Sequence, residues 1–279
     1  MFDNFQLETV ELPEATLRVR YGGSGPPLLL LHWHPRTHTT RHKVAPLLAR
    51  HFTVVCPDLR GFGKSSKPTD VRDYEASSKR AKARDCVALV EHLGFNQFYL
   101  AGHDRGSYTA FRTAMDHPSK VLKLAMLDGV PILEALERCN AKFAVLRWYV
   151  FFYAHHDLPE QAILANPAAW YGGTKEALGE ENYQDFWAAI HAPETVMGML
   201  GEYCAGIQLD HIHDRNDRDA GRKLQCPVHI VWSLGMILKT YMATYWPYGS
   251  RGHCRLLAGQ ELAVGTLWPK MRRRIFRNG

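Results

Sequence analysis

Short unbroken apolar runs recur along this chain, separated by stretches with a helical stripe. Pro27 to His32 and Phe52 to Cys56 are such runs, and each reads as a strand buried on both faces. Thr16 to Tyr21 alternates, and Gly22, Gly23 and Gly25 then mark a turn. From about Ala76 to Leu93 the pattern becomes helical, with Ala83, Val87, Leu89, Val90 and Leu93 on one side. Gly94 stands where a helix end favours a residue free to take positive φ. Phe98 to Ala101 predicts the next strand, followed by a glycine-rich turn and a helix from Ser107 to about His117. Leu122 to Leu127 and Val228 to Trp232 predict two further strands. Strands alternating with helices imply an α/β fold: a mostly parallel central sheet with helices on both faces.

Residues 132–215 break this rhythm. They are helical in pattern and rich in aromatics, among them Trp148, Tyr149, Phe151, Phe152, Tyr153, Trp170, Tyr171 and Trp187. They read as a helical lid inserted between two strands. The expected division is therefore 1–131 as the first part of the core, 132–215 as the lid, and 216–279 as the last part of the core.

Composition changes this picture in one place. Residues 235–279 hold eight Lys or Arg against one acid, a net +7, which leaves −1 for residues 1–234 of a chain whose total is +6. The basic character belongs to the tail, so no nucleic-acid partner is expected. No apolar run reaches membrane-spanning length, and none is expected to enter a membrane. Asp3 and Glu8 sit where a secretory signal would carry basic residues. The six cysteines are scattered without a C-x-x-C pair, which favours reduced thiols and a cytoplasmic setting. His32, His34, His38 and His42 cluster, but no carboxylate or cysteine completes a ligand set, so neither metal nor cofactor is expected.

The chemistry concentrates in Gly102-His103-Asp104-Arg105-Gly106, between a predicted strand and a predicted helix. That is the setting of a nucleophile elbow, in which glycines let backbone segments pack closely and the central side chain is pushed into the site. The central residue here is Asp. A carboxylate displaces a leaving group from sp³ carbon and leaves an alkyl ester, whereas a serine would acylate at a carbonyl. The other reading of the segment is a surface D-x-G turn.

Four segments together resemble the haloacetate (fluoroacetate) dehalogenases and, more distantly, the epoxide hydrolases of the α/β-hydrolase superfamily. They are Leu31-His32-x-His34-Pro35, the run from Asp58 to Pro68, the His-Asp-Arg-Gly elbow, and Leu127-Asp128-Gly129-Val130-Pro131. The resemblance spans about Gly22 to Leu234 and implies an α/β-hydrolase fold acting on a small-molecule substrate, with a homodimer as the expected assembly. It makes Asp104 the nucleophile and Arg105 a binder of substrate carboxylate. Asp128 becomes the acid that orients a catalytic histidine; it would otherwise be a helix cap or turn residue. His34, Tyr149 and Tyr203 become substrate-binding residues, with Tyr203 placed for a leaving halide or as proton donor to an epoxide. Tyr203 would otherwise be one packing aromatic among many.

The chain departs from the family pattern at several points. Tyr108 replaces a second arginine, Tyr149-Val150 replaces a His-Trp pair, Trp33 replaces a glycine, and Arg41 replaces an aromatic. Tyrosine cannot supply the charge of an arginine that grips a carboxylate, and Trp33 risks filling the site. The largest departure is the histidine that would activate water against the ester. The nearest analogue of its motif is Gly259-Gln260, and glutamine cannot accept a proton; His253 is the one other histidine after His229. Turnover is therefore expected to be impaired. The alternative is a non-catalytic α/β-hydrolase-fold protein that binds a small apolar ligand.

The shift in charge after Val231-Trp232-Ser233-Leu234 suggests that the tail is the family's ending read in another frame. With third bases left free, Met236 to Gly249 back-translates in the neighbouring frame to DDLEDLYGDLLAIW, and Gly265 to Gly279 to GHFVAEDAPADIPEW. The first is acidic, and the second restores a Gly-His motif, at the same frame offset. Sequencing the coding DNA is expected to find that frame open to the end of the gene; stop codons within it would eliminate the idea.

Overall fold

The computed structural model describes residues 1–68, 73–233 and the backbone of 254–259. The two back-translated stretches, His253 and Gln260 lie outside the described residues.

The described strands are β1 (Gln6–Glu11), β2 (Thr16–Gly22), β3 (Pro27–Leu31), β4 (Thr53–Pro57), β5 (Phe98–His103), β6 (Val121–Leu127), β7 (Val228–Ser233) and β8 (Cys254–Gly259). They form one sheet in the order β1-β2-β4-β3-β5-β6-β7-β8. β1 and β2 run antiparallel to their neighbours, and the others are parallel. The unbroken apolar runs become central strands because both of their faces are covered. Leu29, Leu31, Leu100, Met126 and Ile230 join the core on one side. Leu28, Leu30, Ala101, Ala125 and Val231 join the core on the other. Each fully buried leucine of this kind contributes roughly 1.5–3 kcal/mol.

β1 gave no apolar signal, since Val10 is its one buried residue; it is an edge strand exposed over most of its length. The predicted helix from Ala76 divides in two. A 3-10 turn covers Glu75–Ser77, and a helix runs over Lys79–His92, capped by the Ser78 hydroxyl accepting from the Ala81 N–H. Helices fill the chain from Ile132 to Asp219, between β6 and β7. Among the described residues no helix is long and apolar enough to cross a membrane.

The sheet register sets the position of the site. Gly102 pairs with Met126 and His103 with Leu127, so parallel β5 and β6 end side by side. The ladder extends one step further: the Asp104 N–H donates to Leu127 O at 2.8 Å, and the Asp128 N–H to Val231 O at 2.9 Å. Both carboxylates therefore leave the same carboxyl edge of the sheet, where ligands of open α/β sheets bind.

A helix starts at Arg105 and runs to Asp116, two residues earlier than the pattern predicted, because the bend is completed within Asp104 itself. Asp104 has φ 51° and ψ −117°, a costly backbone for a residue with a Cβ. The flanking glycines make the bend possible. A Cβ on Gly102 would lie 2.2 Å from Gly106 O, and one on Gly106 would lie 2.4 Å from His32 O. Gly106→Ala is expected to lower the unfolding free energy by about 3 kcal/mol. Gly94→Ala, at a positive-φ helix end with open space around it, is expected to cost about 1 kcal/mol. Urea unfolding of the two variants checks the contrast.

Candidate active site

A cleft opens at this edge. Asp104, Arg105, Tyr108 and Asp128 line it from the sheet side, and Phe143, Arg147, Tyr149, Val150 and Tyr203 line it from the inserted helices. The centre of a water-sized molecule can occupy about 30 Å³ of it. Four of the residues picked out from the sequence, Asp104, Asp128, Arg105 and Tyr203, thus converge here, as does Tyr149.

His34 is placed differently. It lies behind Tyr203, with ring centroids 5.1 Å apart, and packs edge-on to Tyr171 at 5.2 Å and close to Tyr153 at 5.7 Å. It is absent from the cleft lining. Burial pushes its imidazole down to about 3, helped by the Arg105 charge. His34 is therefore neutral, and among the described residues neither of its buried ring nitrogens has a hydrogen-bond partner.

Arg105 is also engaged differently from a free carboxylate clamp. Its Nε donates to Glu202 Oε1 at 3.1 Å, and its Nη2 to the Glu202 carbonyl at 2.8 Å. The Tyr203 ring lies 3.9 Å from its Cζ. Lys79 and Lys82 reach the same carboxylate at 2.9 and 2.6 Å. Burial would raise the Glu202 carboxyl, but Lys79, Lys82 and Arg105 together hold it well below its ordinary range. Burial likewise works against the Arg105 charge, and Glu202, Tyr203, Tyr108 and Asp104 together outweigh it. Sequence reasoning missed Glu202. The signal available was Lys79 and Lys82 on the same helical stripe as buried Cys86 and Val90, since a lysine on an apolar stripe needs an internal partner.

The phenols of Tyr203 and Tyr108 are raised by burial, Tyr108 to about 12. Both stay protonated near neutral pH and can donate hydrogen bonds into the cleft. Arg147, also unnoticed in the sequence, donates from Nη1 to the Tyr149 hydroxyl.

Asp128, like Asp104, has positive φ, at 49°. Its Oδ2 lies 3.7 Å from His103 Nε2. His103 in turn packs edge-on to Trp33 at 4.6 Å. Trp33 is not among the residues lining the cleft. Its partner is the other unusual residue, Arg41, whose Cζ lies 5.4 Å from the Trp33 ring. The clustered histidines have separate partners. His32 Nε2 accepts from Leu59 N, His38 Nδ1 meets Asp58 Oδ1, and His42 Nδ1 meets Thr39 O. Among the described residues no group of three or more His, Cys, Asp or Glu side chains could hold a metal ion.

The model of the alpha/beta hydrolase fold family matches residues 26–235. The chain belongs to this family. A fluoroacetate dehalogenase from Burkholderia sp is 38% identical over 236 residues, covering 81% of this chain and 77% of the relative. A soluble epoxide hydrolase from Corynebacterium sp. (strain C12) is 31% identical over 221 residues, covering 75% and 74%. Among solved structures, a candidate epoxide hydrolase from Pseudomonas aeruginosa superposes with TM-score 0.84 at 34% identity, covering 98% and 97% of the two chains. This α/β hydrolase is thus an enzyme of a family that includes dehalogenases and epoxide hydrolases.

The neutral, buried imidazoles set an acid sensitivity. Burial lowers His32 to about 4 and His34 to about 3, while an unfolded histidine titrates near 6.5. As pH falls below about 6.5 the unfolded chain takes up protons that the folded chain refuses, so stability falls. Chemical unfolding between pH 6.5 and 4.5 is expected to show this slope, and His34→Phe is expected to reduce it by up to about 1.4 kcal/mol per pH unit.

Proposed function

We propose that this protein breaks a carbon–halogen or carbon–oxygen bond by nucleophilic displacement at carbon, with Asp104 as the nucleophile. The observation that carries this reading is a carboxylate at the tip of a central strand, in strained positive-φ backbone, facing a cleft lined by protonated phenols. An oxygen of Asp104 bonds to the substrate carbon, and the carbon–halogen or epoxide carbon–oxygen bond breaks. Tyr149 and Tyr203 stand on the lid side to receive the leaving atom, by hydrogen bonding to halide or by protonating the epoxide oxygen. Arg105, anchored by Glu202, keeps a positive charge beside the nucleophile. Residues 132–215 act as the lid over residues 1–131 and 216–279. The unpaired cysteines fit a cytoplasmic setting.

Release of product requires water to cleave the ester and a base to take its proton, with Asp128 orienting that base. β8 ends at Gly259, beside Ser233 of β7, and the next residue in the chain is Gln260. Turnover is therefore slow or absent in this reading, and the ester accumulates.

Incubation with chloroacetate and with a small epoxide, followed by peptide mass spectrometry, tests the reading. One equivalent of adduct on the peptide carrying Asp104 is expected, and at least about a hundredfold less with Asp104→Asn. Absence of adduct with every electrophile would instead favour a non-catalytic protein holding a small apolar ligand.

A further inference from the structure

Tyr203 is placed by the residue before it. Glu202 and Tyr203 stand side by side near the end of the helix Pro193–Ala205. That helix lies on the core at backbone distance, since a Cβ on Gly198 would come within 2.6 Å of Gly61 O. One turn further on, the Glu202 side chain is fully buried. Lys79 and Lys82 reach its carboxylate at 2.9 and 2.6 Å, which leaves the carboxylate one position.

Arg105 is held against Glu202 by its edge. Nε meets Oε1 at 3.1 Å, and Nη2 meets the backbone carbonyl at 2.8 Å. A guanidinium is planar, so two bonds along one edge fix the plane of the whole group. Its face then carries the Tyr203 ring, 3.9 Å from Cζ. Arg105 directly follows Asp104 in the chain. The phenol is therefore located relative to Asp104 through three rigid links: the elbow backbone, the guanidinium plane and the buried carboxylate. A carboxylate that served only to neutralise two lysines would need none of this. The bond to the Glu202 carbonyl fixes the helix as well as the side chain.

We propose that Glu202 is a positioning residue: acting through Arg105, it fixes the Tyr203 phenol where it donates a hydrogen bond to the atom leaving the substrate carbon. The chemical consequence rests on the displacement reading above. In that step an Asp104 oxygen bonds to carbon, the carbon–halogen bond breaks, and halide departs with its electron pair toward the Tyr203 O–H. Chloride leaves less readily than iodide and accepts a hydrogen bond more strongly, so a misplaced phenol penalises chloride more. General loosening of the fold slows both alike.

The rates at which chloroacetamide and iodoacetamide label Asp104, read by peptide mass spectrometry, test the role. Both reagents are uncharged, so the Arg105 charge does not select between them. Glu202→Gln alone leaves Lys79, Lys82 and Arg105 without a counter-charge. The test variant therefore combines Glu202→Gln with Lys82→Met, which restores the net charge of the set. Its chloride-to-iodide rate ratio is expected to fall by about tenfold, as in Tyr203→Phe, and adding Tyr203→Phe to it is expected to change the ratio by less than about twofold more. Lys82→Met alone is expected to keep the parent ratio. With carbon-13-labelled tyrosine, the Tyr203 resonance, assigned by its loss in Tyr203→Phe, is expected to shift in the combined variant and to stay in place in Lys82→Met. A ratio unchanged or raised in the combined variant overturns the proposal. So does an equal fall in Lys82→Met alone, which would trace the effect to the charge of the set. If the resonance shifts as expected while neither reagent labels Asp104, the positioning stands and the displacement chemistry fails.

Discussion

The close approach of backbone to backbone beneath the elbow is the constraint on which the site depends. The chain leaves β5, reverses within Asp104 and enters a helix at Arg105, with no room for a methyl group at either flanking glycine. That crowding leaves the Asp104 side chain one direction, outward from the carboxyl edge. The strained dihedrals are tolerated because their surroundings determine them: the N–H of Asp104 is held by Leu127 O, and its carbonyl accepts from Ser107 N.

A second constraint holds the inserted helices over that edge. Glu202, fully buried on the helix Pro193–Ala205, is met by Lys79 and Lys82 from the sheet-flanking helix and by Arg105 from the elbow. Burying such a set is expensive, and its stability comes from the geometry of the whole set, since loss of one partner leaves the others uncompensated. On the other side of the sheet edge, Arg18 bridges Asp58 and Asp185, while Thr37 and Thr39 reach Asp185 and Asn182. Asp58 is held below its ordinary range, although burial would raise it, by His38 and Arg18. The inserted helices are thus fastened by charge at several points, among them also Asp214 and Asp217 on Arg112. His34 packs against Tyr153, Tyr171 and Tyr203, and Tyr153 against Tyr203.

Departures from the family pattern become intelligible as sets. Trp33 and Arg41 look like two separate oddities in the chain, but they lie against each other, and the Arg41 guanidinium also caps the Leu31 carbonyl at the end of β3. Tyr108 lacks the charge of the arginine it replaces, and Arg147 brings a guanidinium to the same cleft from a different element.

The parallel sheet, the succession of its strands and helices along the chain and the two carboxylates after β5 and β6 were legible in the chain. Those features follow from local rules: an apolar run buried on both faces, a glycine where a Cβ cannot fit, and an acid placed directly after a strand. The edge strand Gln6–Glu11 was not, because one buried residue makes no period. The engagement of Arg105 by Glu202 spans 97 positions, and the arrival of Arg147 in the same cleft as Asp104 depends on how the inserted helices fold back. By itself, then, the sequence determined which backbone bends and which carboxylate stands at the bend. Tertiary structure alone decided which charges surround that carboxylate, because long-range electrostatic partners are chosen by packing and leave no periodic trace along the chain.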